Sequence, residues 1–258
     1  IKNIGAKPVF VDINEEDYNI NPHKISEAVN SKTKAIVPVH IYGQSCDVKP
    51  IIKIANQHNL KIIEDACQSY GATYHNRKTG TFGDAGCLSF FTSKNLGGLG
   101  NGGMIITGNK TVIKKAEDLK KFPLDSIQIA FLKPKLKVIE RWLSLIRQNA
   151  EMYSRNLEDT DLILPVEKKG CKHTYHSYVI RSDKRDKLQK FLQRNKVYTM
   201  VEYKMPLHQN KAFKYLNYGK GYFPVAEKCA KEVLSLPISP FLSQGEIEKI
   251  CTLIKKFI

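Results

Sequence analysis

At 258 residues, 42% of them hydrophobic and 26% charged, the chain is long enough to bury a sizeable core and too apolar for a disordered protein. Its 41 Lys and Arg against 25 Asp and Glu leave a formal charge of +16. The lysines are spread along the whole length, so they read as a solvated basic surface, which would favour anionic small molecules, and not as a nucleic-acid footprint. No run approaches the ~18 apolar residues that span a bilayer, and Ile1 to Phe10 lack the layout of a secretory signal. A soluble, cytoplasmic protein with neither membrane nor nucleic-acid partner is expected. The six cysteines stand far apart with no C-x-x-C pair, so free thiols are expected and no metal site.

In chain order, Pro8 to Val11 reads as a strand, and Asn21-Pro22 as a helix cap with proline at the first helical position. Ala35 to Ile41 reads as a buried strand. Asp47 can cap a helix that keeps Val48, Ile51, Ile52 and Ala55 on one face, and Leu60 to Ile63 is the next strand. Shorter strands at Gly86 to Phe90 and Met104 to Thr107 flank a glycine-rich loop, and Val112 to Phe122 returns to helical spacing. The alternation predicts an open, mostly parallel sheet flanked by helices. An amphipathic stretch from about Leu136 to Leu157 leads into an α+β pattern. Its strands are Tyr175 to Ile180 and Val197 to Val201, and its helices lie at Asp183 to Asn195 and near Pro224 and Ser243, the last with a Ser243/Glu246 capping box. A boundary near residue 135 would divide the chain into a large unit, 1–135, and a small one, 136–258.

Two segments could carry chemistry. Ile62-Ile63-Glu64-Asp65-Ala66-Cys67-Gln68 sets an acid just past the carboxyl end of a strand, where open α/β sheets place ligands; alone it reads more readily as a cap or turn. Ser89-Phe90-Phe91-Thr92-Ser93-Lys94-Asn95-Leu96-Gly97 sets a lysine beside a loop with five glycines in seven residues, Gly97 to Gly103. Such a loop lets the backbone approach phosphate or a planar cofactor closely; alone, Lys94 reads as a surface lysine. Gly98, Gly100 and Gly103 match G-x-G-x-x-G, but the strand-like Met104 to Thr107 that follows is the wrong context for a dinucleotide fingerprint.

Taken together, strand-Glu-Asp-x-x-Gln, G-x-x-Ser-Phe, Lys-Asn-x-Gly and the glycine run resemble the sugar aminotransferases named for the DegT, DnrJ, EryC and StrS proteins. The flanks agree: Gly5 to Asp12, Thr33 to Gln44 and Gly71 to Tyr74 read as family segments in family order. The resemblance implies an α/β fold, the fold type I of pyridoxal-phosphate-dependent transferases. That fold has a three-layer large domain around a mostly parallel sheet and a smaller α+β C-terminal domain. It implies that Lys94 carries pyridoxal 5'-phosphate as a Schiff base and moves protons. Asp65 would pair with the pyridinium nitrogen, Gln68 would reach the ring's phenolic oxygen, and Ser89 would hold the phosphate. A buried carboxylate can keep that nitrogen protonated through a charge-assisted hydrogen bond of about 1.5–3 kcal/mol, which asparagine could not.

His173 to Arg181 resembles the family's small-domain strand, with His176 expected to pack or hydrogen-bond inside that unit. Met205-Pro206-Leu207-His208-Gln209 resembles its proline-histidine turn, which makes His208 a candidate contact to sugar or nucleotide. The implied substrates are L-glutamate and a nucleotide-linked keto-6-deoxy sugar, 3-keto ahead of 4-keto, handled by a homodimer. A catalytically silent, regulatory family member is the other reading.

The chain departs from the family in three places. It begins at what would be the third or fourth element of the large domain, without the Gly-Thr or Gly-Ser pair and the stacking aromatic ring that precede it. It is short near Phe122-Pro123, and Asn101 stands where family loops tend to carry Asp. The expectation is a complete enzyme whose further segments order with cofactor, which an intact mass close to 29.3 kDa would oppose.

Overall fold

The computed structural model describes residues 1–118 and 124–258. Phe122, Pro123 and the last residues of the expected helix before them lie outside the described residues.

In the first unit α1 (Pro22–Ala28) starts as its sequence dictates: the Asn21 side chain accepts from His23 N and Pro22 takes the first turn. β1 (Ala35–Ile36), α2 (Val48–Gln57) and β2 (Lys61–Asp65) follow. Val48, Ile51, Ile54 and Ala55 form the buried stripe of α2 and pack with Ile36 and Ile62 of the strands. β2 alternates, burying Ile62 and Glu64 and exposing Lys61 and Ile63. Two short strands, β3 (Thr73–Tyr74) and β4 (Arg77–Lys78), form a hairpin, and then come β5 (Ala85–Ser89), β6 (Gly103–Ile106) and α3 (Lys110–Asp118). The sheet runs β1-β2-β5-β6; β1 and β5 lie parallel to β2, and β6 returns antiparallel to β5 with Ser89 opposite Gly103.

α4 (Ser126–Leu157) contains the expected amphipathic stretch but starts ten residues sooner, capped by the Asp125 side chain on Ile127 N. Residue 135 lies inside it, one position past Pro134. Leu132, Ile139, Leu143 and Ile146 pack with Phe90 and Leu96 of the first unit. Ala150, Tyr153 and Leu157 belong to the core of the second. That second core gathers around β8 (Tyr178–Arg181) and β9 (Val233–Leu236), an antiparallel pair. It is faced by α5 (Arg185–Arg194) and α7 (Gln244–Phe257), with α6 (Pro224–Glu232) beside them. The Ser243/Glu246 capping box opens α7. β7 (Cys171–Lys172) adds to the β3–β4 hairpin, so the second half of the chain reaches back onto the first.

Three expected strands are altered, each for a reason of pairing. Pro8 to Val11 is irregular. Phe10 instead packs among Phe213, Tyr218 and Phe223, while both Asp12 carboxylate oxygens cap α6 through Val225 N and Ala226 N. Ala35 to Ile41 pairs only at Ala35–Ile36 and again at Val39 opposite Asp65; Pro38 between them has no N–H to give. Val197 to Val201 retains a single bridge, Met200 to Ser235. Asp47 holds the cap position of α2 without capping it, its Oδ1 being taken by the Tyr74 hydroxyl at 2.5 Å.

Candidate active site

β2 ends on Asp65, level with Cys87 of β5, so the carboxylate emerges at the carboxyl edge of the parallel strands. Its backbone is fixed on both sides: Asp65 N donates to Pro38 O at 2.9 Å, and Asp65 O accepts from His40 N at 3.0 Å. Beneath it Glu64 points into the core, where His40 Nε2 lies 2.9 Å away and the N–H groups of Gly80, Phe82 and Gly83 donate to it. One Asp65 oxygen accepts from Cys67 N at 3.1 Å.

Lys94 approaches from β5. The chain turns after Ser89, with Phe91 N on the Ser89 hydroxyl at 3.2 Å and Lys94 N on Phe91 O at 2.9 Å, and leaves Lys94 half-buried. The Cys67 thiol registers both candidate catalytic groups. Burial and the Asp65 carboxylate push it up to about 12, while the Lys94 ammonium pulls the other way. Asp65 thus ends β2, and Lys94 stands in the turn after β5, the strand paired with β2.

Gln68 sits at the rim. Its Oε1 accepts from Tyr42 N at 2.8 Å and its Nε2 donates to the Tyr203 hydroxyl at 3.2 Å. Tyr203 comes from the second unit and shares the site's field, its phenol raised by burial and by the negative charge of Glu202. His176, also from the second unit, brings Nδ1 to 3.2 Å from Asn95 Oδ1 and thus bonds across to the lysine loop rather than within its own unit. Burial and the nearby Lys94 charge hold it down to about 4.

The glycine loop is held by α4. Lys135 Nζ donates to Gly97 O at 2.6 Å, and Gln128 Oε1 accepts from Leu99 N at 2.7 Å. A Cβ on Gly98 would meet that Gln128 oxygen at 2.4 Å, so a side chain there would push the end of Gln128 off the loop. The strand β6 follows this loop, as the reading against a dinucleotide fingerprint requires.

The sequence-derived residues Asp65, Gln68, Ser89 and Lys94 thus lie around one edge of the sheet. His208 is built differently: it is 4% exposed, its Nε2 lies 3.0 Å from Glu227 Oε1 and its ring packs edge-on against Phe223. Tyr203 and the Asn95–His176 link were not anticipated, because they depend on how the units meet. Gln128 and Lys135, seven apart and so on one face of α4, carried a helical-spacing signal that could have found them. Among the described residues no three His, Cys, Asp or Glu side chains gather as a metal ion would need.

The donor set fits pyridoxal phosphate. A carboxylate ends one strand and a half-buried lysine follows its neighbour, and beside that lysine the Asn95 amide Nδ2 is buried with no partner among the described residues. Known proteins with this architecture are readily found. Over its whole length the chain is 42% identical to a pleiotropic regulatory protein of Geobacillus stearothermophilus, of which it covers 75%. Over 98% of its length it is 35% identical to the dTDP-3-amino-3,6-dideoxy-alpha-D-galactopyranose transaminase of Aneurinibacillus thermoaerophilus, covering 73% of that protein. The crystal structure of S. venezuelae DesV superposes with a TM-score of 0.94 over 99% of this chain and 73% of that one, at 29% identity. Residues 1–255 match the profile of one aminotransferase family, and with this edge-of-sheet lysine and carboxylate the chain belongs to it: the DegT/DnrJ/EryC1/StrS aminotransferase family.

Proposed function

We propose that this aminotransferase moves an amino group, taken from L-glutamate, onto a keto-6-deoxy sugar linked to a nucleoside diphosphate, for deoxyamino-sugar biosynthesis. A 3-keto substrate is favoured over a 4-keto one, in keeping with the 3-amino product named for the A. thermoaerophilus relative. The reading is carried by Asp65 at the carboxyl end of β2, opposite Cys87 of β5, together with Lys94 in the turn that follows β5.

When bound, pyridoxal phosphate supplies the electron sink that lets a carbon–hydrogen bond next to the amino nitrogen ionise. Lys94 holds that group through its Nζ and, when free of it, carries the proton between carbon atoms. Asp65 has one oxygen engaged by Cys67 N and keeps the other for a pyridinium N–H, which its charge favours in the protonated form. Ser89, whose oxygen accepts from Phe91 N, has its hydroxyl proton to give to a phosphate oxygen. Gln68 uses one amide N–H on Tyr203, and its second N–H is the donor for the ring oxygen. His208, buried on Glu227, would serve the sugar by holding the turn 206–209 in place.

The same reading takes 1–135 as the cofactor unit, 136–258 as the smaller unit, a homodimer as the working form and the cytoplasm as its place. No described helix is long and apolar enough to cross a membrane. The test is spectral: an absorbance band at roughly 330–420 nm, present in the cofactor-loaded protein and lost with turnover in Lys94→Ala. Unchanged turnover in that variant would overturn the assignment. A regulatory role is the second reading, on the strength of the G. stearothermophilus relative's name. Transfer of amino groups from glutamate by the purified protein would decide against it.

A further inference from the structure

Asn95, the residue after Lys94, is gripped from the opposite unit. Its Oδ1 is a carbonyl oxygen and can only accept, so the 3.2 Å contact with His176 Nδ1 places the histidine proton on Nδ1 and leaves Nε2 bare. The other half of the amide, Nδ2, is buried and has no acceptor among the described residues. An unmet buried donor is destabilising, and proteins seldom keep one where nothing will arrive to satisfy it.

The strap that delivers His176 is rigid. Thr174 N donates to Gly43 O at 2.9 Å and Ser177 N to Tyr42 O at 3.3 Å, so the strap lies on the turn whose Tyr42 N also holds Gln68. Upstream, His173 stacks on Tyr175 with ring centroids 4.0 Å apart and accepts from Tyr175 N at 2.9 Å. His176 is thus held by its own unit before it touches the lysine loop. With Oδ1 fixed from that side, the amide plane of Asn95 has one orientation, and Nδ2 is committed with it.

We propose that Asn95 is a ligand-binding residue of the Lys94 site, aimed by His176 across the cleft, whose Nδ2 donates to an anionic oxygen of the bound ligand. The oxygen is that of a phosphate on the cofactor or of a carboxylate on the amino donor. The proposal rests on the aminotransferase reading only for the identity of that ligand; the His176–Asn95 geometry stands without it.

The first readout is the His176 ring in cofactor-free protein, by nitrogen-15 NMR. The wild type should show the Nδ1–H tautomer, and Asn95→Ala should release it toward Nε2–H; an Nε2–H wild type overturns the proposal. The second is ligand affinity. Asn95→Ala and His176→Phe should each weaken binding roughly threefold to tenfold, the effect of losing one hydrogen bond, and the double variant should lose no more than either single one. His176→Asn, which can present an amide N–H in place of Nδ1–H, should restore affinity to within about twofold. Loss confined to pyridoxal phosphate affinity identifies the phosphate, and loss confined to the KM for glutamate identifies the carboxylate. Wild-type affinity for both in Asn95→Ala and His176→Phe overturns the proposal. A wild type that takes up no pyridoxal phosphate at Lys94 instead defeats the proposed function, while the tautomer result still tests the pairing.

Discussion

Asp65 differs from an asparagine by one charge, and in the proposed function that charge is what holds a pyridinium N–H at the end of β2. Asp65→Asn would keep the hydrogen bond from Cys67 N and the fold, yet give up a charge-assisted bond of about 1.5–3 kcal/mol, so amino transfer should fall by roughly 10- to 100-fold. Cofactor loading at Lys94, followed by absorbance, should survive; loss of both together would mean that the carboxylate holds up the fold. His173 and His176 make a second prediction. Burial and the Arg147 charge hold His173 down to about 3, and burial with Lys94 holds His176 down to about 4. Between those values and the ordinary histidine value of about 6.5 the unfolded chain binds protons that the folded one refuses. Stability should therefore be intact above about pH 6.5 and decline below it, by at most about 1.4 kcal/mol per pH unit for each histidine. Urea midpoints that do not move between pH 7 and pH 5 would contradict this.

At the level of elements, β5 is tightly constrained. A Cβ on Gly86 would meet Gly80 O at 2.1 Å, backbone against backbone, with no flexible side chain to give way. Gly86→Ala should cost about 3 kcal/mol or more, read as a lower thermal midpoint, because it forces apart β5 and the turn that Glu64 ties down. The same elements show what the sequence could tell. The α2 stripe, the Asn21 cap and the Ser243 box were legible since periodicity and capping are local matters. Pro8 to Val11 was not: its residues suit a strand, but Phe10 and Asp12 find partners more than two hundred residues away, in the aromatic cluster and at α6. β9, four residues between a helix and Pro237, is buried throughout and too short to be told from the end of that helix by its pattern. At the candidate site, the position of Asp65, Ser89 and Lys94 at the sheet edge was legible because two of them end their strands and the third follows one closely, whereas Asn95's partner and Tyr203 arrive from the second unit, which no local pattern announces.

For the molecule as a whole, a formal +16 spread over the surface sets up a field that draws anions from every side. With a doubly charged nucleotide-linked sugar as substrate, raising the ionic strength from about 0.05 to 0.5 M shortens the screening length severalfold. kcat/KM should then fall while kcat holds, and a salt-independent kcat/KM would show that the charge is spectator to the reaction. The joint between the units has a mechanical consequence. α4 enters one core with Leu132 to Ile146 and the other with Ala150 to Leu157, so no flexible tether separates them. The second unit cannot swing away from Lys94 as a bead on a string. Any opening of the cleft must be flexure of a single rod, small in angle and shared along its length. The rod has a weak place: Pro134 gives no N–H to the turn before it, beside the Lys135 that holds Gly97. Bending there would pull on the glycine loop directly, making the spine of the molecule also the handle on its lysine.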